Sequence, residues 1–429
     1  MLFANIGVVD GDFELHEDWF VAVDGARIAY LGPEEPAGDF GERYDGRGKV
    51  LMPGLVNAHT HVPMTLLRGY AENLPLDRWL QEMVWPFEDL ITDEAALPAS
   101  RLAFAEALRF GTVSLTDMYR YDEARIQAIE ESGIKCNMAH GITAFDPDTP
   151  YDALPECGIA DKLIDEYHGA FDGRLRIDVA PHAPTTVVAP VLRAMGEHAV
   201  RRGVGLHIHV AETRAEQEQI LEMTGMTPVA YLESLGVLDA PVTAAHCVWA
   251  TDADLAILAA HDATAATCPS SNLKLGSGIP NTQRFIASGV NVAIGTDSVS
   301  SNNALNLFRD LYLAAIAHKG AELDPVGVGA VDVLRAATAG GAHAQRRDDC
   351  GTIEEGKRAD LVVLDVDVPW MQPVSSMADN IAYAANGSEV VLTMVDGKVL
   401  YKDGEHLTID VEKAMRETQQ ARDAIVAQL

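Results

Sequence analysis

The middle of the chain, from about residue 51 to residue 345, repeats one pattern of apolar and polar positions. Short apolar runs alternate with longer stretches in which apolar residues recur at helical spacing, and this alternation predicts βα units and a parallel sheet. The runs are VLMPGLVNAHTH, TVSLTDM, IKCNMAHG, LRIDVAPHAP, GLHIHVAE, PVTAAHCV, ATAATCPSSN and NVAIGTDS. Eight such strands predict a closed, TIM-like (β/α)8 barrel of the α/β class. Helices are expected at 92–110, 187–203 and 214–235.

The two ends of the chain show a different pattern, with short alternating runs and turn residues. Asp24-Gly25 and Asp396-Gly397 each lie between such runs, which is a hairpin signal. Residues 1–50 are too few for a core of their own. We therefore expect residues 1–50 and 346–405 to form one composite β-sandwich domain beside a barrel of residues 51–345. A final helix within residues 406–429 is expected to begin after Asp410.

The composition is that of a globular protein. Of the 429 residues, 48% are hydrophobic, and no apolar run approaches the roughly 18 residues that a membrane helix needs. The N-terminus has no basic lead and no evident signal peptide. Five scattered cysteines without a CxxC pair favour a reducing, cytoplasmic location. We therefore expect no membrane partner.

Acidic residues outnumber basic ones by 64 to 32, which gives a net charge of −32. Such a surface repels a phosphate backbone, so nucleic acid is not an expected partner. The acids are spread along the whole chain, as in the acidic proteome of a halophilic cell. This is a hypothesis, and poor stability without salt is its expected consequence.

Polar residues collect where the predicted strands end. In a (β/α)8 barrel these ends meet at one mouth, where active sites lie. The residues at these ends are His59, His61, Asp117, His140, His182, His209, Glu212, His246, Ser270 to Asn272, and Asp297. His207 lies one layer deeper and is expected to pack in the barrel interior. The histidines at 16, 168, 198, 261, 318, 343 and 406 are interpreted as solvated or locally hydrogen-bonded.

His59 and His61 are two residues apart, so on a strand both imidazoles face the same side. With His209 and Asp297 they predict a site for one divalent metal ion, zinc or else iron or manganese, with room for a water. Zinc lowers the pKa of a bound water to about 7. His246 and Asp297 are candidates for moving its proton, and Glu212 for passing a proton to the substrate. Incidental histidines at a polar strand end, and a helix N-terminal role for Glu212, are the alternatives.

The sequence motifs of other classes of metal-dependent hydrolase are absent from this chain. Neither HxE with PCxxC nor HExxH occurs in the chain. Binuclear hydrolases of similar barrel shape bridge their metals with a modified lysine, and no lysine lies between Lys162 and Lys274. One metal ion is therefore expected rather than two.

At PGLVNAHTH, LPLDRWLQEMVWPFE, HVAET, the His246 strand end and GTDSVSSNN, the chain resembles the amidohydrolase superfamily. Within it, the chain is most similar to the 5′-methylthioadenosine/S-adenosylhomocysteine deaminases and their chlorohydrolase relatives. The resemblance implies that Trp79 packs on a nucleoside and that Glu88 binds the ribose hydroxyls. It also implies substrate contacts for His182, Glu212 and Ser301. Packing in a helix core is the alternative for Trp79, and Asp117 and Asn272 are interpreted as structural hydrogen bonders.

The resemblance implies hydrolytic deamination of an adenine nucleoside to the inosine analogue and ammonia. A deaminase or chlorohydrolase of guanine, cytosine or a triazine, and a non-catalytic scaffold, are the alternatives. The family pattern includes arginines near the third strand end, where this chain has His140 and a following loop, 141–160, without Lys or Arg. A preference for 5′-methylthioadenosine, 5′-deoxyadenosine or adenosine over S-adenosylhomocysteine is therefore expected. The sequence leaves open whether the chain forms a homo-oligomer.

Overall fold

The N-terminal residues form the first strands of a small sheet. The computed structural model describes residues 1–75 and 78–429, so that Leu76 and Asp77 of the LPLDRWLQEMVWPFE motif lie outside the described residues. The strands are β1 (Leu2–Val9), β2 (Leu15–Asp24), β3 (Arg27–Gly32), β4 (Arg43–Asp45) and β5 (Lys49–Pro53). The hairpin predicted at Asp24-Gly25 is confirmed, and Gly25 has the positive φ, 55°, that a tight turn requires.

Eight parallel strands follow and form the predicted barrel. They are β6 (Leu55–Thr60), β7 (Thr112–Tyr119), β8 (Lys135–Ile142), β9 (Leu175–Pro181), β10 (Leu206–Val210), β11 (Val242–His246), β12 (Thr264–Thr267) and β13 (Asn291–Ile294). Each strand pairs with the next one along the chain. The single strand expected over VLMPGLVNAHTH is divided at Gly54 between the small sheet and the barrel. A Cβ atom on Gly54 would lie 2.3 Å from Val113 Cγ1, so a side chain does not fit at this crossing.

Side-chain and backbone hydrogen bonds connect the first and last barrel strands. Asn57 Nδ2 donates to Thr296 Oγ1 at 2.8 Å, and Asn57 Oδ1 accepts from the Thr296 amide at 3.0 Å. The Asp297 amide donates to the His59 carbonyl oxygen at 2.9 Å. These bonds close the barrel and bring the end of β6 next to the residue that follows β13.

The C-terminal residues complete the small sheet with β14 (Leu361–Asp365), β15 (Val390–Val395), β16 (Lys398–Lys402) and β17 (Glu405–His406). β14 pairs with β5, so both ends of the chain contribute strands to one nine-stranded sheet. Alternate residues of β14 face different sides: Leu361 and Val363 pack in the core of the small sheet, and Val362 and Leu364 in the barrel core. The second predicted hairpin, at Asp396-Gly397, joins β15 to β16.

The α-helices surround the barrel and connect its strands. They are α1 (Trp85–Glu88), α2 (Asp93–Arg109), α3 (Asp122–Ser132), α4 (Pro155–Tyr167), α5 (Ala189–Arg202), α6 (Arg214–Thr224), α7 (Pro228–Ser234), α8 (Asp252–Ala260), α9 (Pro269–Lys274), α10 (Thr282–Ser288), α11 (Leu307–Glu322), α12 (Ala330–Arg335), α13 (Gly341–Ala344), α14 (Met377–Asp379) and α15 (Val411–Val426). Short 3-10 and π-helical turns at Val62–Leu67 and Trp79–Val84 precede α1. Within the described ranges, no helix has the length and apolar character to span a membrane.

Two helix predictions have different outcomes. The single helix expected over 214–235 is two helices, because Gly225 ends α6 in the left-handed conformation (φ 74°) and Pro228 begins α7. The final helix begins as predicted after Asp410, whose side chain accepts from the Lys413 amide.

Candidate metal centre and active site

Residues from the first and last barrel strands meet at the carboxyl end of the barrel. His59 and His61 lie at the end of β6, and Asp297 follows β13. The Asp297 Oδ1 atom lies 3.5 Å from His59 Nε2 and 3.3 Å from His61 Nε2. The two imidazoles therefore face one carboxylate, in agreement with their i, i+2 spacing.

Two further histidines lie in the same cluster. His209 Nε2 is 3.3 Å from His61 Nε2, and the His246 ring centroid is 5.1 Å from that of His59. Ligand atoms of His59, His209 and His246 lie within 4.8 Å of one another, and so do those of His59, His61 and Asp297. The structure thus brings together the four predicted ligands and adds His246 beside them.

The hydrogen bonds of His61 and His209 leave their Nε2 atoms free to bind a cation. His61 Nδ1 lies 2.6 Å from the Met118 carbonyl oxygen, and His209 Nδ1 lies 2.7 Å from that of His182. Because a carbonyl only accepts, the hydrogen of each neutral ring is on Nδ1. The two Nε2 lone pairs then face each other, an arrangement that a metal ion between them stabilises.

His59 has the same arrangement with a different partner. Its Nδ1 lies 2.7 Å from His207 Nε2, and the two rings are within 14° of parallel. Its Nε2 is buried without a hydrogen-bond partner and faces Asp297. A buried nitrogen of this kind is costly unless it binds an ion. His207 packs in the interior, as expected, but it also contacts a candidate ligand, which the sequence did not indicate.

Burial determines the charge of these groups. It lowers the pKa of His59 to about 3 and that of His209 well below the ordinary value, so both are neutral, the form that binds metals. Burial also lowers the pKa of His61, but the Asp297 carboxylate outweighs it and raises that pKa above the ordinary value. Burial opposes ionisation of Asp297, but the neighbouring His59 and His61 imidazoles outweigh it and hold the pKa of Asp297 well below its usual range. Imidazoles and a carboxylate suit zinc and similar divalent ions. The donor set therefore fits the expected metal.

Hydroxyl and amide groups fix the Asp297 carboxylate. Its Oδ2 atom accepts from Ser271 Oγ at 2.5 Å and from Ser301 Oγ at 3.1 Å. Its Oδ1 atom accepts from the Ser298 amide at 2.7 Å. Ser301, for which the resemblance implies substrate contact, is buried, and its hydroxyl contacts Asp297 and Ser298. These contacts orient the carboxylate toward the histidines.

Glu212 lies beside His246 at the same mouth. Its Oε2 atom is 3.8 Å from His246 Nε2, and its Oε1 atom accepts from Ser277 Oγ at 3.1 Å. On the other side of the ring, His246 Nδ1 is 3.1 Å from the Asn272 side-chain amide. Asn272 was expected to be a structural hydrogen bonder, and its bond is to one of the candidate proton-transfer groups. The residues predicted for proton transfer thus lie next to the candidate ligands.

Glu88 lies near the cluster on another side. The Tyr119 hydroxyl donates to Glu88 Oε1, and the Tyr119 ring centroid is 6.1 Å from that of His61. Arg120 Nη2 lies 3.5 Å from Glu88 Oε2. Burial raises the pKa of Glu88, whose residue is only 8% exposed. The Tyr119 side chain therefore lies between the Glu88 carboxyl group and the candidate ligand His61.

The structure gives Trp79 and His182 different surroundings. Trp79 is buried in an apolar cluster that includes Met64, Phe87 and Tyr119, so the helix-core alternative describes much of its environment. The His182 ring lies 4.7 Å from that of His209, and its Nδ1 is 2.8 Å from Thr186 Oγ1. Burial lowers the pKa of His182 to about 4.

Asp117 and His140 belong to one buried network of charges. Asp117 Oδ2 lies 2.8 Å from Arg125 Nη1, and Arg125 Nη2 lies 2.6 Å from Asp122 Oδ1. Asp122 Oδ2 is 2.7 Å from His140 Nδ1. Arg125 is fully buried, so the network connects the ends of β7 and β8 through α3. This environment agrees with the structural role expected for Asp117.

Sequence reasoning missed several contacts of the site, namely Tyr119, Ser271, Ser277 and the bond between His207 and His59. Tyr119 follows Asp117 by two residues on β7 and so shares its face, a signal that was available. Ser271 lies inside the strand end that was identified. Ser277 lies in a loop between α9 and α10, and no periodicity relates that loop to Glu212.

Comparison with known proteins is consistent with this geometry. The profile of the Amidohydrolase family matches residues 50–400. A 5-methylthioadenosine/S-adenosylhomocysteine deaminase from Moorella thermoacetica is 43% identical over 92% of each chain. A 5′-deoxyadenosine deaminase from Methanothermobacter thermautotrophicus is 38% identical over 94% of each chain. The crystal structure of an adenosine deaminase from Xanthomonas campestris with bound zinc superposes with a TM-score of 0.92 at 33% identity, covering 99% of this chain and 98% of that one.

The profile match covers most of the chain, and relatives well above 30% identity span nearly its whole length. The matched residues, 50–400, include all four members of the cluster at the barrel mouth: His59, His61, His209 and Asp297. Fold, site and comparison lead to one assignment: this chain belongs to the amidohydrolase family.

Proposed function

We propose that this protein is a metal-dependent hydrolase that removes the 6-amino group of an adenine nucleoside as ammonia and leaves the inosine analogue. The names of two relatives and of the zinc-containing adenosine deaminase support this reaction class. The observation that carries the proposal is the position of Glu88, a buried acid whose partner Tyr119 lies beside His61. An acid there suits the ribose hydroxyls, which free guanine, cytosine and triazines lack.

We propose that His59, His61, His209 and Asp297 hold one divalent ion. Zinc is preferred because imidazole and carboxylate ligands suit it, and iron or manganese is the alternative. Such an ion supplies Lewis-acid chemistry, because it makes a water molecule acidic enough to act as a nucleophile near neutral pH. The short bonds from Ser271 and Ser298 keep the Asp297 carboxylate facing this position.

The remaining proton transfers are assigned to this chain's own side chains. Glu212 donates a proton to the ring nitrogen beside the reacting carbon as the water oxygen adds to that carbon. Asp297 and His246 accept one water proton and deliver it to the amine, which leaves as ammonia. The second water proton returns to Glu212, so the carboxyl group is restored. Glu212 Oε2 and His246 Nε2 are 3.8 Å apart, which is close enough for both groups to serve one reacting carbon.

The substrate contacts follow the same geometry. Glu88 is assigned to the ribose hydroxyls, with Tyr119 and Arg120 as its fixed partners. Trp79 is assigned to the apolar side of the nucleoside, at the edge of the cluster that it shares with Tyr119. His182 and Ser301 are assigned to positions beside the ring, next to His209 and Asp297 respectively.

The 5′ end of the substrate is expected to carry no carboxylate. His140 donates its Nδ1 hydrogen to Asp122, and an imidazole, which lacks the bidentate fork of a guanidinium, stands where the family pattern has an arginine. Loop 141–160 has no basic residue and carries Asp146, Asp148 and other acids, which repel a carboxylate. Methylthioadenosine, 5′-deoxyadenosine or adenosine is therefore preferred to S-adenosylhomocysteine.

We also propose that the enzyme works in a reducing cytoplasm. All five cysteines are free, and four of them are buried. Thiols in this state agree with a compartment in which disulfides do not form.

Ammonia release from a substrate panel tests the proposed function. The panel contains methylthioadenosine, 5′-deoxyadenosine, adenosine, S-adenosylhomocysteine, guanine, cytosine and a triazine, all with the same metal-loaded protein. We expect the highest kcat/KM on a nucleoside without a carboxylate tail. Ammonia from free bases or triazines but not from nucleosides would contradict the assignment. A kcat/KM for S-adenosylhomocysteine at or above that for methylthioadenosine would refute the argument about the 5′ end.

A further inference from the structure

The turn between β10 and α6 has an unusual backbone and a functional residue. β10 ends at Val210, and the next residue, Ala211, has a positive φ of 50° and is completely buried. Glu212 follows, with its carboxylate toward Ser277 and His246. A residue other than glycine adopts this backbone only when surrounding contacts enforce it.

The Glu216 carboxylate supplies two of these contacts. Its Oε1 atom accepts from the Ala211 amide at 2.8 Å, and its Oε2 atom accepts from the Glu212 amide at 2.8 Å. Glu216 lies in the first turn of α6, where its own amide donates to the Thr213 hydroxyl. One side chain thus fixes two successive amides, the second of which belongs to Glu212.

Helix α8 offers a comparison for this arrangement. Its N-cap residue, Thr251, accepts from the Asp254 amide, and Asp254 returns a bond to the Thr251 amide at 2.8 Å. That is a reciprocal capping bond, and the other Asp254 carboxylate oxygen accepts from Thr227 Oγ1 at the start of α7. Glu216 has the same position relative to Thr213, but its longer side chain reaches past the N-cap to the two preceding residues.

We propose that Glu216 is a positioning residue for the reaction, because it holds the turn that directs Glu212 toward His246. The inference rests on the proposed function, in which Glu212 carries a proton to the substrate. Ser277 fixes the end of the Glu212 side chain, and Glu216 fixes its backbone. Only a carboxylate supplies an acceptor to both amides, since glutamine has one oxygen and turns an NH2 group toward the second N–H.

The test compares Glu216→Gln with Asp254→Asn in the full-length, metal-loaded enzyme. Both changes convert a capping carboxylate into an amide at the start of a helix, but only Glu216 bonds the Glu212 amide. We expect Glu216→Gln to lower kcat by about 10- to 100-fold, the effect of a small misplacement of a catalytic group. KM and metal content should stay near the wild-type values. Asp254→Asn should lose thermal stability to a similar degree and retain wild-type kcat.

Hydrogen exchange at the Ala211 and Glu212 amides provides a second readout that does not depend on activity. We expect faster exchange at both amides in Glu216→Gln and unchanged exchange there in Asp254→Asn. Equal kcat in the two variants, or unchanged exchange in Glu216→Gln, would overturn the positioning role. A wild-type enzyme that releases no ammonia from any nucleoside would instead refute the proposed function, and the exchange result would still stand on its own.

Discussion

Each candidate ligand histidine uses its Nδ1 atom in a hydrogen bond, but the partners differ. His61 and His209 donate to backbone carbonyls, whereas the partner of His59 is the His207 imidazole. For His59 to bind a metal through Nε2, His207 must accept at its own Nε2 and carry its hydrogen on Nδ1. Hydrogen bonds of this kind fix the ring and raise the basicity of the ligand.

Replacing His207 should therefore weaken metal binding without abolishing it. We expect His207→Leu to lower zinc affinity by about 10- to 100-fold, whereas His209→Ala removes a ligand and should lose the metal together with activity. Zinc content after dialysis against graded concentrations of a chelator measures the difference. His318→Leu, which replaces a buried histidine of α11, is the control. A wild-type zinc affinity in His207→Leu would mean that the hydrogen bond between His59 and His207 does not contribute to metal binding.

Glu88 allows a test of sugar recognition at the residue scale. Hydrogen bonds to a charged group contribute about 1.5–3 kcal/mol, so Glu88→Gln should lower kcat/KM on a ribonucleoside by about tenfold or more. The loss should be smaller on the 2′,3′-dideoxy analogue, which lacks the hydroxyls that Glu88 is proposed to bind. Steady-state kinetics with both substrates decides this. Equal losses of kcat/KM on the two substrates would show that Glu88 does not bind the ribose hydroxyls.

At the scale of elements, the change of sheet at Gly54 determines where the candidate ligands lie. β5 belongs to the small sheet and β6 to the barrel, and Gly54 is the only residue between them. A Cβ atom there would lie 2.3 Å from Val113 Cγ1 on β7. His59 and His61 lie at the other end of β6, so a shift of the chain at Gly54 also moves these two candidate ligands.

Gly54→Ala should lower the free energy of unfolding by about 1–3 kcal/mol, the usual cost of overpacking a core. Gly158→Ala is the matched control, because that glycine is exposed on α4 with no atom within 4 Å of an added Cβ. It should be neutral or stabilise by up to about 1 kcal/mol, since alanine favours a helix. Denaturant unfolding of both variants measures this. Equal stability in both would contradict the packing argument at Gly54.

The elements were predictable where a local pattern decides them. The eight barrel strands, the Asp24-Gly25 and Asp396-Gly397 hairpins and the Asp410 cap each have a local signal. The break at Gly54 was not predictable, because it depends on the contact with Val113 from another strand. The hydrogen bonds of His207 and Ser277 likewise depend on distances across loops and strands, which no periodicity contains. Glu216 is different, because it bonds residues only four and five positions away.

At the scale of the whole molecule, the net charge of −32 is the dominant electrostatic feature. Repulsion among so many like charges destabilises the compact state when it is not screened. Surface ion pairs are weakened by the same salt, but each contributes only about 0–1 kcal/mol. We therefore expect screening of the net charge to decide the direction of the salt effect.

The melting temperature should rise as KCl increases from roughly 0.01 M to 1 M, because the Debye length falls from about 30 Å to about 3 Å. Thermal unfolding of the metal-loaded protein at each concentration measures this. A further rise in molar salt is expected if the protein comes from a halophilic, salt-rich cytosol. Full stability at low ionic strength would rule out that hypothesis.

The reaction performed in ¹⁸O-labelled water tests the central claim most directly. Methylthioadenosine is incubated with the metal-loaded enzyme, and mass spectrometry identifies the purine product. The account predicts methylthioinosine with one ¹⁸O atom at carbon 6 and one ammonia released per turnover, and it predicts almost no product from Asp297→Asn, whose amide accepts no proton. Recovery of free adenine, of unlabelled product, or of unchanged substrate would contradict the account.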